Sequence, residues 1–201
     1  NSLHISITPI ITALGVGGLA LALALQPTLS NLFSGIQIIA SKQLLPGQYI
    51  SLENGQEGSV EEITWRYTEI RSLNNNMITI PNSKISEAMI TNYHKTDKEI
   101  ALFVPLRVGF NADLDLVEKT SKETAKKVMQ DTVGGAKDFE PLVRFAKFGE
   151  AGIEFNVILK VKEFNDQFPV RHAFIKELSK QFREKNIEIT YPVRTVYTKT
   201  V

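Results

Sequence analysis

Hydrophobic and polar positions are divided along this chain with unusual sharpness. Residues 1–41 contain no Asp, Glu, Lys or Arg, and all 23 basic and 22 acidic side chains lie from Lys42 onward. The centre of the charge-free stretch runs Ala13-Leu-Gly-Val-Gly-Gly-Leu-Ala-Leu-Ala-Leu-Ala-Leu25, followed by Gln26-Pro27 and a second apolar run over 29–40. Residues 19–25 alternate Leu and Ala with period two, which would suit a strand. Ala and Leu are strong helix formers, however, and no β-branched residue interrupts the run. A lone strand in lipid would also leave its backbone groups unpaired, so the pattern predicts a transmembrane helix. Residues 9–25 would span about 25 Å, just short of a ~30 Å hydrocarbon core. A soluble buried hairpin would carry polar residues on one face, and none occurs from Leu14 to Leu25.

On a helix turning about 100° per residue, the alternation separates into four stripes. Leu19 and Leu23 form one, and Leu21 and Leu25 form another nearly opposite. Between them lie two small-residue flanks, one with Ala13, Gly17, Ala20 and Ala24, the other with Gly15, Gly18 and Ala22. Small residues spaced by three and four let membrane helices approach closely. Two such flanks fit a ring in which every helix touches two neighbours. Pro27 removes a backbone donor and crowds the preceding turn, predicting a kink or break at Gln26-Pro27. A second, amphipathic helix is expected beyond it, capped by Thr28 or Ser30, with Leu29, Leu32, Phe33, Ile36, Ile39 and Ala40 on its apolar side. Lys42, the first charge, favours the cytoplasmic side for the residues beyond it.

The charged remainder reads as short strands and amphipathic helices. Strands are predicted over 48–53, 58–64, 67–73, 77–80 and 90–93, with Asn54-Gly55 as a tight hairpin signal and a helical turn over 83–87. Five short strands in about fifty residues make a small barrel. From residue 97 the order changes: strand 99–108, helix 112–130, strands 142–148 and 152–161, helix 166–185. This succession of strand, helix, strand, strand, helix and strand is α+β and ferredoxin-like. Residues 193–201 alternate Thr, Val and Tyr as a terminal strand with unpaired edges.

Composition narrows the chemistry. A net charge of +1 points to neither nucleic acid nor an acidic partner. The absence of cysteine removes disulfides, thiol chemistry and cysteine metal sites. His4, His94 and His172 have no metal-ligand partner at motif spacing, so no metal or other cofactor is expected. Glu61-Glu62 would face opposite sides of a strand. Gly134-Gly135 and Gly149 lack the spacing of a phosphate loop. No catalytic constellation remains, and an enzyme is not expected. A cleaved signal is disfavoured because no basic residue precedes the apolar core. A chain beginning at Asn1 reads as processed, or as a piece of something longer with further membrane helices before it.

Four motifs occur in order: Gly17-Gly-Leu-Ala-Leu-Ala-Leu-Ala-Leu-Gln26, Ser30-Asn-Leu-Phe-Ser-Gly35, Leu45-Pro-Gly-Gln-Tyr-Ile50 and Ile80-Pro-Asn-Ser-Lys-Ile85. Together they resemble the pore helix and cytoplasmic part of the small-conductance mechanosensitive channels, over essentially the whole chain. The resemblance implies a membrane protein of α and β class: a kinked pore-lining helix (1–27), an amphipathic helix (28–45), an Sm-like β-domain (46–95), an α+β domain (96–190) and a strand of an intersubunit barrel (191–201). It implies a homo-heptamer in the cell membrane, its C-terminal part cytoplasmic, releasing ions and small solutes under tension. Its partners would be membrane lipid and its own copies, with no nucleic acid. Leu19 and Leu23 would form the constriction rings, and the glycines and alanines between them the helix contacts. Pro27 stands where the family often has Gly, and it enforces a break that Gly merely permits. Gly35 matches a second flexible glycine. The alternative reading is a membrane-tethered Sm-like binding module without channel activity. An RNA-binding module would need a basic, aromatic patch that is not present.

Overall fold

A computed structural model describes residues 8–190. The expected strand at 193–201, and His4, lie outside the described residues. The chain divides between Tyr93 and His94 into two units.

The first unit opens with helix α1, Thr8–Ser41, 34 residues with Pro27 inside it. Of the expected kink or break at Gln26-Pro27, the break does not occur: one helix runs through both predicted segments. Proline costs the helix one bond, from the missing N–H at 27. Opening the helix there would leave several further backbone groups of the adjoining turn unpaired in an apolar setting, and that penalty is larger. Continuity also removes the shortfall in length, since 34 residues reach about 51 Å. The helix ends where Lys42 takes a left-handed conformation (φ 51°). Gln43 N–H then donates to the Ile38 carbonyl (3.2 Å) and Lys42 N–H to that of Ile39 (3.2 Å), a Schellman stop.

Five antiparallel strands come next: β1 (Tyr49–Leu52), β2 (Glu57–Ile63), β3 (Tyr67–Arg71), β4 (Met77–Pro81) and, after the short helix α2 (Asn82–Glu87), β5 (Ile90–Asn92). Their order is β4-β3-β2-β1-β5, so α2 links the two outermost strands. Asn54-Gly55 lies in the β1–β2 turn as its sequence predicts, with Gly55 at φ +82°. The core joins Val60, Ile70, Ile80 and Ile85 with Ile38 of α1 and Leu44 beyond it. The end of the membrane helix is thus part of the β-domain's core.

The second unit contains β6 (Ile100–Val108), α3 (Leu114–Asp131), β7 (Leu142–Gly149), β8 (Gly152–Val161) and α4 (Gln167–Glu184). Its sheet order is β6-β8-β7, antiparallel throughout, with no fourth strand among the described residues. Strand β8 alternates buried and half-buried residues along its length, so its inner face (Ile153, Phe155, Val157, Leu159, Val161) meets both helices. Asp113 caps α3, its side chain accepting from Asp115 N–H (3.0 Å) and Leu116 N–H (3.1 Å). Helix α3 also buries Thr120, Ser121 and Thr124, which its apolar pattern does not reveal. Thr124 Oγ1 donates to the Thr120 carbonyl (2.8 Å), and Lys185 Nζ to Thr120 Oγ1 (3.1 Å), so part of this polarity is satisfied within the helix pair.

Phe174, Leu178 and Phe182 line the inner face of α4 at the predicted spacing. Phe174 is fully buried, whereas the adjacent Ile175 is 48% exposed. Phe174→Ala should cost about 3–5 kcal/mol of stability. Ile175→Ala should cost about 0.5 kcal/mol or less, as at other surface positions. Thermal unfolding of the two variants would check this facing.

Candidate functional site

Among the described residues, the upper part of α1 touches nothing else in its own chain. Leu19, Leu21 and Leu23 are each about 60% exposed, and a Cβ added at Gly15, Gly17 or Gly18 would meet no atom within 4 Å. Ala13, Ala20, Ala22, Ala24 and Gln26 are likewise exposed. The candidate constriction and packing residues therefore share one helix segment whose every face is turned outward. Leu19 and Leu23 lie one turn apart, with Leu21 and Leu25 on nearly the opposite side.

The lower part of α1 is docked. The expected apolar side, Phe33, Ile36 and Ile39, is exposed, while Gly35 and Ile38 are buried and Asn31 and Ser34 are half-buried. The docked face is formed by Gly35 and Ile38, with Asn31, Leu32 and Ser34 at its margin. Gly35 sits so close to the β2–β3 turn that a Cβ would lie 2.5 Å from Asn82 Nδ2 and 2.7 Å from the Trp65 carbonyl oxygen. Only a glycine lets the helix come this near without displacing its neighbours. Within an unbroken helix, Gly35 acts here as a contact point.

Two asparagines hold the joint. Asn31 Oδ1 accepts from the Ser83 N–H at the start of α2 (3.0 Å), and Asn31 Nδ2 donates to the Pro27 carbonyl (2.8 Å). Asn82, fully buried, donates from Nδ2 to the Thr64 carbonyl (2.8 Å) and accepts from Thr68 Oγ1 (2.9 Å). Its N–H donates to the Arg66 carbonyl (3.0 Å). Asn31 and Ser83 belong to two of the four sequence motifs, separated by 52 residues, and the fold brings them together. Both asparagines lie within those motifs, yet the residue pattern gives neither of them a role. The available signal was a pair of asparagines, one of them in the helix-start sequence Pro81-Asn82-Ser83, and it does not identify a partner.

Elsewhere the electrostatics are those of a folded surface. Burial, followed by the nearby Glu57, holds the Tyr49 hydroxyl protonated well above its usual range. In the second unit the hydrogen bond from Lys127 Nζ to Glu177 Oε1 (2.8 Å) raises the lysine and lowers the carboxyl. Among the described residues no group of three or more His, Asp or Glu side chains could hold a metal ion.

Family comparisons agree with this geometry. Residues 27–95 match the mechanosensitive ion channel beta-domain, and residues 104–189 match the mechanosensitive ion channel MscS C-terminal domain. The chain belongs to the small-conductance mechanosensitive channel family. The small-conductance mechanosensitive channel MscMJ of Methanocaldococcus jannaschii is 30% identical over 199 residues, covering 98% of this chain and 55% of that protein. The closed-state crystal structure of Helicobacter pylori MscS superposes with a TM-score of 0.81 at 26% identity, covering 98% of this chain and 76% of that one. Arabidopsis thaliana MSL1 shares the fold, with a TM-score of 0.65 at 21% identity over 92% of this chain and 66% of that one. The chain spans about half the length of the curated channels it matches, 55% for the first two. The family's members are membrane proteins, and α1 is this chain's transmembrane helix.

Gly35→Ala should force the helix and the β2–β3 turn apart, at a cost of about 1–3 kcal/mol. Asn82→Ala leaves the Thr64 carbonyl and the Thr68 hydroxyl without their partner, at a similar cost of about 1–3 kcal/mol. Gly17→Ala, in open space within the chain, should leave the melting temperature of the β-domain unchanged. Unfolding of the three variants in detergent, followed by circular dichroism, would distinguish these outcomes.

Proposed function

We propose that this chain forms the pore and cytoplasmic body of an ion channel opened by membrane tension, assembled as a homo-heptamer. The observation that carries this reading is α1 itself, uncharged, unpartnered along its upper half, and built into the β-domain at its lower end. Small flanks of Gly17, Ala20, Ala24 and Gly15, Gly18, Ala22 supply the surfaces for two neighbouring helices. Closing the ring turns one leucine stripe inward, and Leu19 and Leu23 become two constriction rings. A pore narrowed by leucine expels water and so blocks ions without any plug.

Tension favours whichever state occupies more area in the membrane plane. Tilting the helices outward parts the leucine rings, and shallow Gly/Ala surfaces slide past one another with little interlocking. Gln26-Pro27 is the point at which α1 lacks a backbone hydrogen bond, so bending is concentrated there. Below it, the Asn31–Ser83 bond and the Gly35 contact hold the lower helix to the β-domain. The cation at Lys42 keeps that end on the cytoplasmic side of the cell membrane. Opening would release ions and small solutes during hypo-osmotic shock.

Leu19→Ser or Leu23→Ser should hydrate the constriction, slow the growth of cells expressing the channel, and lower the suction needed to open it in patch recordings of the full-length protein. Leu21→Ser, on the opposite stripe, should have much the smaller effect. Normal growth with unchanged conductance in both constriction variants would remove these positions from the gate. Cross-linking that never exceeds a dimer would remove the ring.

A further inference from the structure

The β2–β3 turn carries the only tryptophan of the 201 residues, Trp65, at its apex beside Arg66. This apex is held by Thr64 within the turn and by Asn82 from its inner side. Thr64 N–H donates to the Tyr67 carbonyl (2.8 Å), and Thr64 Oγ1 accepts from Tyr67 N–H (3.0 Å) and from Arg66 N–H (3.3 Å). Asn82 binds the carbonyls of Thr64 and Arg66 from the inner side. Despite this rigid mounting, the Trp65 side chain is not used in the core: the residue is 54% exposed. Its indole is available to a partner that offers both an apolar and a polar surface.

The position of the apex along α1 identifies that partner. The Trp65 carbonyl packs against α1 at Gly35. Gly35 lies seven residues before Lys42, the first charge of the chain and the stop of α1, about 10 Å along the helix axis at ~1.5 Å per residue. A charged side chain marks the end of the segment that hydrocarbon accepts, and each headgroup layer adds about 5–8 Å to the hydrocarbon core. The level of Gly35 therefore falls close to this polar boundary. Phe33, Ile36 and Ile39, on the undocked face of α1 at the same depth, are all more than half exposed. The first two side-chain cations of this region are Lys42, on the stop of α1, and Arg66, on the apex. Neither enters an ion pair among the described residues, whereas the nearby Glu61 is engaged by Arg71 (2.9 Å). The closest acidic residues of the hairpin, Glu62 and Glu69, are set back along β2 and β3.

We propose that Trp65 and Arg66 form an interfacial anchor, with the indole seated among phospholipid headgroups and Arg66, aided by Lys42, binding their phosphates. An indole has an apolar body and a polar N–H, the combination that favours the boundary between headgroups and acyl chains. Cations at this level are attracted to anionic lipid and lose that attraction as salt rises. Asn82 ties the apex to the contact with α1, so the anchor and the membrane helix are referenced to the same point of the β-domain. The inference rests on α1 spanning the membrane and is independent of how the channel gates.

The test is tryptophan emission from the full-length protein in vesicles of phosphatidylcholine, alone or mixed with phosphatidylglycerol. The Trp65 signal is taken as the difference between the wild type and Trp65→Phe. Expected are a blue shift and loss of this emission with lipids brominated near the glycerol end of the chain, and less loss with lipids brominated near the methyl end. Quenching should be stronger in the anionic mixture. That excess should disappear in high salt and in the Arg66→Gln, Lys42→Gln double variant. Protein that floats with the vesicles but shows an unquenched Trp65, exposed to aqueous acrylamide or covered by another copy of the chain, overturns the anchor alone. Protein that fails to float overturns the membrane reading and the anchor with it.

Discussion

A helix of 34 residues without a charged side chain must place its apolar surface somewhere other than water, and its own chain covers only the last few turns. This requirement organises the molecule. It demands a bilayer or neighbouring helices around the upper half of α1, and it demands that backbone hydrogen bonding be kept intact along the entire span. The same requirement explains why Pro27 does not break the helix. One missing donor is tolerable in lipid, whereas opening a turn would expose several unpaired groups.

Where α1 leaves the membrane, a second constraint takes over. The helix passes from a medium that accepts any apolar face to a β-domain that accepts only a close-fitting one. The docked face joins small and polar residues to Ile38, with Gly35 giving backbone-to-backbone proximity and Asn31 satisfying the Ser83 amide in the first turn of α2. The bulkier Phe33, Ile36 and Ile39 are left outside. An amphipathic helix usually buries its large apolar residues, whereas here the close approach at Gly35 sets which face is covered. Ile38, alone among the larger side chains of this segment, enters the β-domain's core.

The second unit obeys more ordinary rules, with two helices covering one face of a three-stranded sheet. Its uncovered face carries the ladder Arg107–Glu154–Lys147, in which Glu154 bridges two cations from the flanking strands (2.8 and 3.6 Å). Such exposed pairs contribute little to stability, roughly 0–1 kcal/mol each. The unit is held together by the core around Phe155 and Phe174.

Much of this protein was legible in its residues because the relevant physics is local. The absence of charge before Lys42 and the Leu-Ala run determined a membrane helix. Alternation and turn residues located β1 to β8 within a few positions, and the spacing of Phe174, Leu178 and Phe182 identified the inner face of α4. Leucine stripes and small flanks arise from helical geometry alone. The tertiary structure decided what depends on residues far apart in the chain: the path of α1 through Pro27, the burial of Gly35 against Trp65 and Asn82, and the bond between Asn31 and Ser83. It also decided that Thr120, Ser121 and Thr124 face inward on α3 and that β8, last of the three strands in sequence, is the central one. A residue's own chemistry and its nearest neighbours specify the element it joins. Which of its faces is buried depends on a partner that local sequence does not name.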